Sequence, residues 1–308
     1  MAKTASLSLR EDSLIWTEYN KTGNNIHVER AVFETLPVFI NHQTIQQKLT
    51  ATKIINFLKG IAKKNNLLTN NLHLTIPGRF SLIRKMTIDP AIPKQNREEA
   101  VTFEFEKLWE EPSQNYHIYL PEESAGEKVI TVAIRKSVLN FFNQIFEEAQ
   151  LSVSVISSSC FTVQELATQF YPNSSGQSLL LGWQRRGFDA IVTENQSFHS
   201  YLFKNYNSKL SPVESVSEFD LANSFSNLLF DLQHPKILSK PLLDIQTIYN
   251  FGHYFKPEWL DFMRSRVQIP INLYNIDASS LVTVTTNESD IPPEQIYKYI
   301  EPLSNYSE

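Results

Sequence analysis

The sequence predicts an α/β fold of two lobes. Three observations predict it: one βββαβ order of elements occurs twice, a break at Pro172-Asn173-Ser174-Ser175-Gly176 separates the copies, and a block with its own α/β pattern lies between them. At 308 residues the chain can bury two modest cores, since a domain usually takes about 100–200 residues.

In the first copy, residues 5–9, 13–19 and 26–36 alternate or carry β-branched and aromatic side chains, with breaks at Arg10-Glu11-Asp12 and at 21–25. They predict a three-strand meander. Leu49, Ile54, Ile55, Leu58 and Ile61 recur at helical spacing within 44–66, Asn65-Asn66 is a stop, and 72–76 (LHLTI) reads as a strand. The second copy has strands at 178–182, 188–194 and 198–206, a helix at 218–233 with Leu221, Phe225, Leu228 and Leu229 on one face, and a strand at 244–250. A helix at 257–267 and a strand at 270–276 follow. Two such units facing each other across a cleft is the architecture of sugar kinases, chaperone ATPases and actin, and topology of this kind does not fix function.

The block at 78–156 predicts a small α/β subdomain inserted into the first lobe. It has strands at 80–86, 115–120, 128–134 and 151–156, and helices at 95–109 and 137–150. Val138, Phe141, Phe142, Ile145, Phe146 and Ala149 form one stripe of the latter helix, as a core face does.

Composition removes several classes of function. A 42% hydrophobic, 20% charged chain folds, and a net charge of −5 gives no global pull toward nucleic acid. Cys160 is the single cysteine, which rules out an intrachain disulfide and favours a reducing compartment. Residues 1–19 lack a signal-peptide pattern, and no apolar run reaches the roughly 18 residues of a spanning helix, so no direct membrane insertion is expected. Only 8 of 308 residues are glycine, where about 7% is usual. Glycine-rich phosphate loops are hard to build from so few.

The run Ile76-Pro77-Gly78, then Ile83-Arg84-Lys85-Met86, Arg97-Glu98-Glu99-Ala100 through Glu104-Phe105-Glu106, and Ile130 to Lys136 (ITVAIRK) resembles the PilM family, actin-like proteins of type IV pilus assembly. Ala149-Gln150-Leu151 and the helix after Cys160 resemble the family's AGL turn and its following helix. The resemblance covers most of the chain and is strongest over 72–170. It implies an actin-like (ASKHA, RNase H-like) fold with 1–77 as the first part of lobe IA, 78–156 as inserted subdomain IC, 157–175 as the return helix of IA, and 176–308 as lobe II (IIA and IIB). It also implies a cytoplasmic protein, peripheral to the inner membrane, that grips the N-terminal tail of the membrane protein PilN in a groove between IA and IC.

An actin-like ATPase holds Mg-ATP through two hairpins, each with an Asp and a Gly, and a Gly-Gly turn under the adenosine. Here the first hairpin falls at Ser8-Leu9-Arg10, without Asp or Gly; the second falls at Gly182 to Gly187, with Trp183, Gln184, Arg185 and Arg186 inside; and the adenosine turn reads Phe251-Gly252-His253. All three departures point the same way, to a pseudo-ATPase with no cofactor and a vestigial cleft near Ser8, Arg10, Gly182, Arg185 and Gly252. Arg185 and Arg186 could instead hold an anionic ligand bidentately, against the plainer reading of two solvated arginines in a turn.

Other chemistry finds little support. The seven histidines show no i, i+4 pair and no grouping with Cys160, so no metal site is expected, and GxxxxGK[ST], GxGxxG and GxSxG are absent. Cys160 sits at a helix start, where a thiol pKa can fall, although a small buried residue is the plainer reading.

For a partner, Val101, Phe105, Leu108 and Trp109 share one face of the 95–109 helix while Phe103 points away, and Arg79, Arg84 and Lys85 lie near the start of the same block. Arg79, Arg84, Lys85, Phe103 and Trp109 are therefore the candidate partner-binding residues, with Phe103 packed under the subdomain's own strands as the competing reading. The sequence thus reads as an adaptor of a type IV pilus or related secretion platform without ATP turnover. An active actin-like ATPase switch and the cytoplasmic module of a type II secretion platform are the rival readings. Contacts with other platform proteins and homo-oligomerisation stay open.

Overall fold

The computed structural model describes residues 3–23, 25–108, 112–120, 128–232, 245–266, 272–275, 282–284 and 292–303. In chain order the elements are β1 (Thr4–Leu9), β2 (Ser13–Thr22), β3 (Asn25–Thr35), α1 (Lys48–Lys64), β4 (Leu72–Ile76), β5 (Ser81–Thr87), α2 (Arg97–Leu108), β6 (Tyr116–Tyr119) and β7 (Lys128–Arg135). There follow α3 (Lys136–Glu148), β8 (Val153–Ser158), α4 (Ser159–Phe170), β9 (Gln177–Trp183), β10 (Gly187–Glu194), β11 (Ser197–Asn205) and α5 (Glu218–Leu232). Last come β12 (Ile245–Phe251), α6 (Leu260–Arg266), β13 (Asn272–Asn275) and β14 (Val282–Val284), then 3-10 turns at Pro293–Lys298 and Glu301–Leu303. The chain forms two compact units, one of residues 1–35, 68–78 and 153–308, the other of 36–67 and 79–152.

The first unit carries two sheets, ordered β14-β3-β2-β1-β4-β8 and β11-β10-β9-β12-β13. Each contains the same motif. An antiparallel three-strand meander presents its first strand to a parallel fourth, and a parallel fifth follows. Central strands of such sheets lose both faces to the core, and every residue of β9, the serine and glycine included, is buried. The second sheet packs around Trp183, whose ring meets Phe188, Phe255 and Trp259 and whose Nε1 donates to Asn250 Oδ1 at 3.0 Å. In the first sheet a bulge falls between Glu18 and Tyr19. The buried Glu18 carboxylate there is met by Lys3 Nζ at 2.8 Å and by the Leu68 backbone N–H at 2.6 Å. The strand β14, which pairs in parallel with β3 from Val282 opposite Ile26, was not read from the sequence.

The second unit is built on the three-stranded sheet β5-β7-β6. Val101 and Phe105 of α2 join Met86, Ile88, Tyr116, Val129 and Ala133 in one cluster. The stripe of α3 is buried as its spacing requires, and α3 packs against α1. That contact groups α1 with this unit, whereas the sequence pattern set it with 1–77. The reason is that two apolar helix faces, Ile54-Ile55-Leu58-Ile61 and Val138-Phe142-Ile145, are each buried. At the end of α3, Gln150 takes φ +63°, where the AGL turn has glycine, and the Leu151 N–H closes the turn on Phe146 O at 2.9 Å.

The tip of the β9–β10 hairpin tolerates no side chain at Gly187, because a Cβ there would lie 2.3 Å from the Lys204 carbonyl oxygen and 2.7 Å from the Phe203 ring. Gly187→Ala should therefore destabilise the protein by about 1–3 kcal/mol through overpacking, read as a lower urea midpoint at unchanged slope. An unshifted midpoint would show that the β10–β11 pair yields freely.

Candidate functional site

The residues of the expected vestigial cleft all lie in the first unit, and the chain's own C-terminal turn sits among them. At the end of β1 the backbone N–H of Arg10 closes the first hairpin on Ser13 O at 2.9 Å, and the arginine is only 3% exposed. A buried guanidinium needs a buried anion. Glu301, 1% exposed, supplies it: its Oε2 accepts from Arg10 Nε and from Ser8 Oγ, each at 2.8 Å. Its other oxygen, Oε1, accepts from Gln184 Nε2 of the second hairpin at 3.0 Å. Gln184 also donates to Asp189 Oδ2 at 2.7 Å, and Tyr201 OH holds the other Asp189 oxygen at 2.5 Å. Burial pulls the Arg10 pKa down, and Glu301 more than offsets it, so the guanidinium stays charged. Its Nη1 and Nη2 are buried and form no hydrogen bond among the described residues.

Gly182 lies beneath the Phe251 ring, where a Cβ would meet Cζ at 2.6 Å. Gly252, at φ +106°, donates its N–H to Tyr297 O at 3.0 Å, which ties the loop after β12 to the C-terminal turn. The next residue, His253, stacks its ring on Phe33 with centroids 3.4 Å apart and planes within 5°. Tyr254 and Tyr299 approach it edge-on. Burial first, then the charges of Arg10 and Lys298, lower the His253 pKa to about 4.

Arg185 is half-buried, with Nε 3.1 Å from Glu214 Oε1 and Nη1 3.9 Å from Asp12 Oδ2. Glu214 is itself exposed, so this ion pair lies at the surface. Burial raises the Asp12 pKa, against the pull of Ser13 and the arginines. Cys160 is fully buried at the start of α4, and burial pushes its thiol up to about 12, opposite to the activation a helix start can give. Among the described residues no three His, Cys, Asp or Glu side chains group as a metal site would need.

The partner-binding candidates fall in the second unit. Phe103 is 59% exposed, with Lys107 Nζ 4.1 Å from its ring centroid, so it does not pack under the subdomain's strands. Arg84 and Lys85 are exposed neighbours on β5, and strand alternation sends them to opposite faces. Arg79 is half-buried in the turn before β5, and Trp109 lies outside the described residues. Of the described candidates, Phe103, Arg84 and Lys85 are exposed and Arg79 is partly so.

The sequence reading missed Glu301, Gln184 and Asp189. The signal available was Arg10 itself, a cation between two apolar strands that needs a carboxylate partner somewhere in the chain.

No protein-family model matches the sequence, and no curated protein does. Among solved structures, the PilM-PilN type IV pilus biogenesis complex aligns at a TM-score of 0.74 and 14% identity over 97% of this chain and 94% of that one. A protein of Bacteroides thetaiotaomicron with an actin-like ATPase fold and unknown function aligns at 0.50 and 10% identity, over 96% and 95%. The fold is actin-like. The cytoplasmic domain of EpsL, an inner-membrane component of the type II secretion system of Vibrio cholerae, aligns at 0.55 and 7% identity over 99% and 97%. In this actin-like frame the six-stranded and five-stranded sheets are the two lobes, and the β5-β7-β6 subdomain is the insertion. No helix among the described residues is long and apolar enough to cross a membrane.

Two outcomes follow from the buried groups. Native protein at pH 8 should leave Cys160 unmodified by a maleimide, with full labelling only in guanidinium, as followed by mass; labelling of the native state would overturn the burial. For His253, the unfolded ring takes a proton as pH falls below about 6.5 and the folded ring only near 4. Its contribution to stability is whole above 6.5 and is lost down to about 4. His253→Phe, which keeps the stack on Phe33, should flatten the fall in urea midpoint across that window, and an unchanged pH slope would contradict the assignment.

Proposed function

We propose that this protein is an actin-fold adaptor of the inner-membrane assembly platform of a type IV pilus or a related secretion machine. It binds the N-terminal tail of a PilN-like membrane protein and does not turn over ATP. The observation that carries the reading is the near full-length likeness to the PilM-PilN structure, on a chain whose cleft is occupied by its own Glu301. The residues of the expected cleft make contacts within the chain that support the reading: Ser8 and Arg10 hold a carboxylate, Gly182 lies against the Phe251 ring, and Gly252 pairs with Tyr297. The protein acts in the cytoplasm, held at the membrane by its partner.

The tail-binding surface includes the outer face of α2 with Phe103 and the Arg84 edge of β5, an exposed aromatic and a cation for a peptide with an apolar core and an acidic flank. The likeness to the EpsL domain favours a second reading, the corresponding component of a type II secretion platform. The two readings differ in which membrane protein supplies the tail.

The test is a binding and thermal-shift titration with a synthetic N-terminal tail of the PilN-like protein encoded in the same genome, and with Mg-ATP in parallel. The tail should bind and raise the melting temperature, and Phe103→Ala and Arg84→Ala should each weaken binding about tenfold, ~1.4 kcal/mol, at unchanged melting temperature of the free protein. Unchanged affinity in both variants would remove that surface. Saturable stabilisation by Mg-ATP would overturn the reading of a protein without nucleotide chemistry.

A further inference from the structure

The C-terminal turn does more than cover the cleft. Ser8 Oγ, Arg10 Nε and Gln184 Nε2 converge from two hairpins on a single carboxylate, and that is the donor arrangement of an anion-binding site. The donors come from both sheets: Ser8 and Arg10 lie on and just after β1, and Gln184 follows β9. The anion they meet lies 291 residues from Arg10 along the chain, on a 3-10 turn that packs against β1, β2, β4 and α4. We propose that the cleft is a working anion site, and that Glu301 is its resident ligand, a carboxylate of the chain itself holding the two hairpins together. The proposal rests on the reading of the cleft given above and assigns its occupant.

Two further observations support a receptor over an ordinary ion pair. Arg10 uses only Nε on Glu301, while Nη1 and Nη2 are buried and form no hydrogen bond among the described residues, so the guanidinium has donors to spare beside Glu301. Gln184 is itself positioned, its side chain by Asp189 and its carbonyl by the Tyr206 hydroxyl at 2.5 Å. Asp189 is fixed in turn by Tyr201. Gln184 is therefore held by partners other than Glu301, and the Arg10 backbone by its hydrogen bond to Ser13 O, so the frame of the site should outlast the removal of Glu301.

Small-anion rescue tests this in the full-length protein. Glu301→Ala leaves the donors facing a carboxylate-sized space, and its melting temperature should fall by several degrees. Acetate or formate, titrated against chloride at constant ionic strength, should restore much of that loss along a saturable curve, as expected for a ligand that binds only the folded state. The intact chain should not respond, nor should the double variant Arg10→Met with Glu301→Ala, which removes the receptor with the ligand. Should Glu301→Ala fail to fold in chloride, the same comparison is made on refolding yield, with acetate expected to recover folded protein.

Absence of rescue by either readout overturns the proposal, and so does equal rescue of the double variant, which would mark a general salt effect. Mg-ATP and inorganic phosphate complete the titration. Phosphate that stabilises Glu301→Ala and leaves the intact chain unmoved supports Glu301 as the group that keeps phosphate out. Stabilisation of the intact chain by Mg-ATP instead sinks the adaptor reading itself, an outcome distinct from failed acetate rescue.

Discussion

A guanidinium and a carboxylate, both almost wholly removed from water, can coexist in a protein core only as partners. Desolvating each ion costs several kcal/mol, an unpaired survivor is strongly destabilising, and the pair together does little better than two apolar side chains of the same size. The contact between Arg10 and Glu301 is therefore weak as glue and strong as a constraint. It dictates where the turn at Glu301–Leu303 must sit, and through Gln184 it ties that turn to the second hairpin. The stacked ring of His253, the pairing of Gly252 with Tyr297 and the close approach of Phe251 to Gly182 are arranged around that fixed point.

On the proposed reading, the same constraint gives a physical account of how the fold can persist without nucleotide chemistry. Binding phosphates demands backbone N–H groups presented by glycine and a metal presented by carboxylates. A chain with bulky residues in those turns must fill the space and neutralise any charge left behind. Here Glu301 lies between the two hairpins, His253 stacks on Phe33, and Arg10 and Arg185 meet the carboxylates of Asp12, Glu214 and Glu301. Both sheets keep the same strand order around β1 and β9, central strands buried on both faces.

Periodicity made most of this architecture legible. The strand at 72–76 was read to the residue, and α3 to within two residues, because their patterns face one uniform environment. The two-faced pattern of α2 was also readable, with Val101 and Phe105 inward and Phe103 in solvent. Less was legible where the deciding partner is distant. Gln47 adopts an extended conformation that divides the predicted 44–66 helix into a 3-10 turn and α1, for which the apolar spacing carries no sign. The strand β14 is three residues long, too short to show alternation, and its stability comes from β3. Glu301 carries no sign of its own in the sequence; only the buried cation of Arg10, 291 residues away, gives it meaning.

That separation along the chain has a consequence in time. Synthesis at about 5–20 residues per second leaves roughly 15–60 seconds between the appearance of Arg10 and that of Glu301. Throughout that interval the first hairpin holds a cation it cannot bury, and β3 lacks the parallel neighbour that β14 will give it. The six-stranded sheet, begun by β1, is thus finished only when β14 has been made. A chain cut short before residue 301 lacks the carboxylate that meets Arg10 Nε in the folded protein, and so carries a cation that the fold would otherwise bury as a pair.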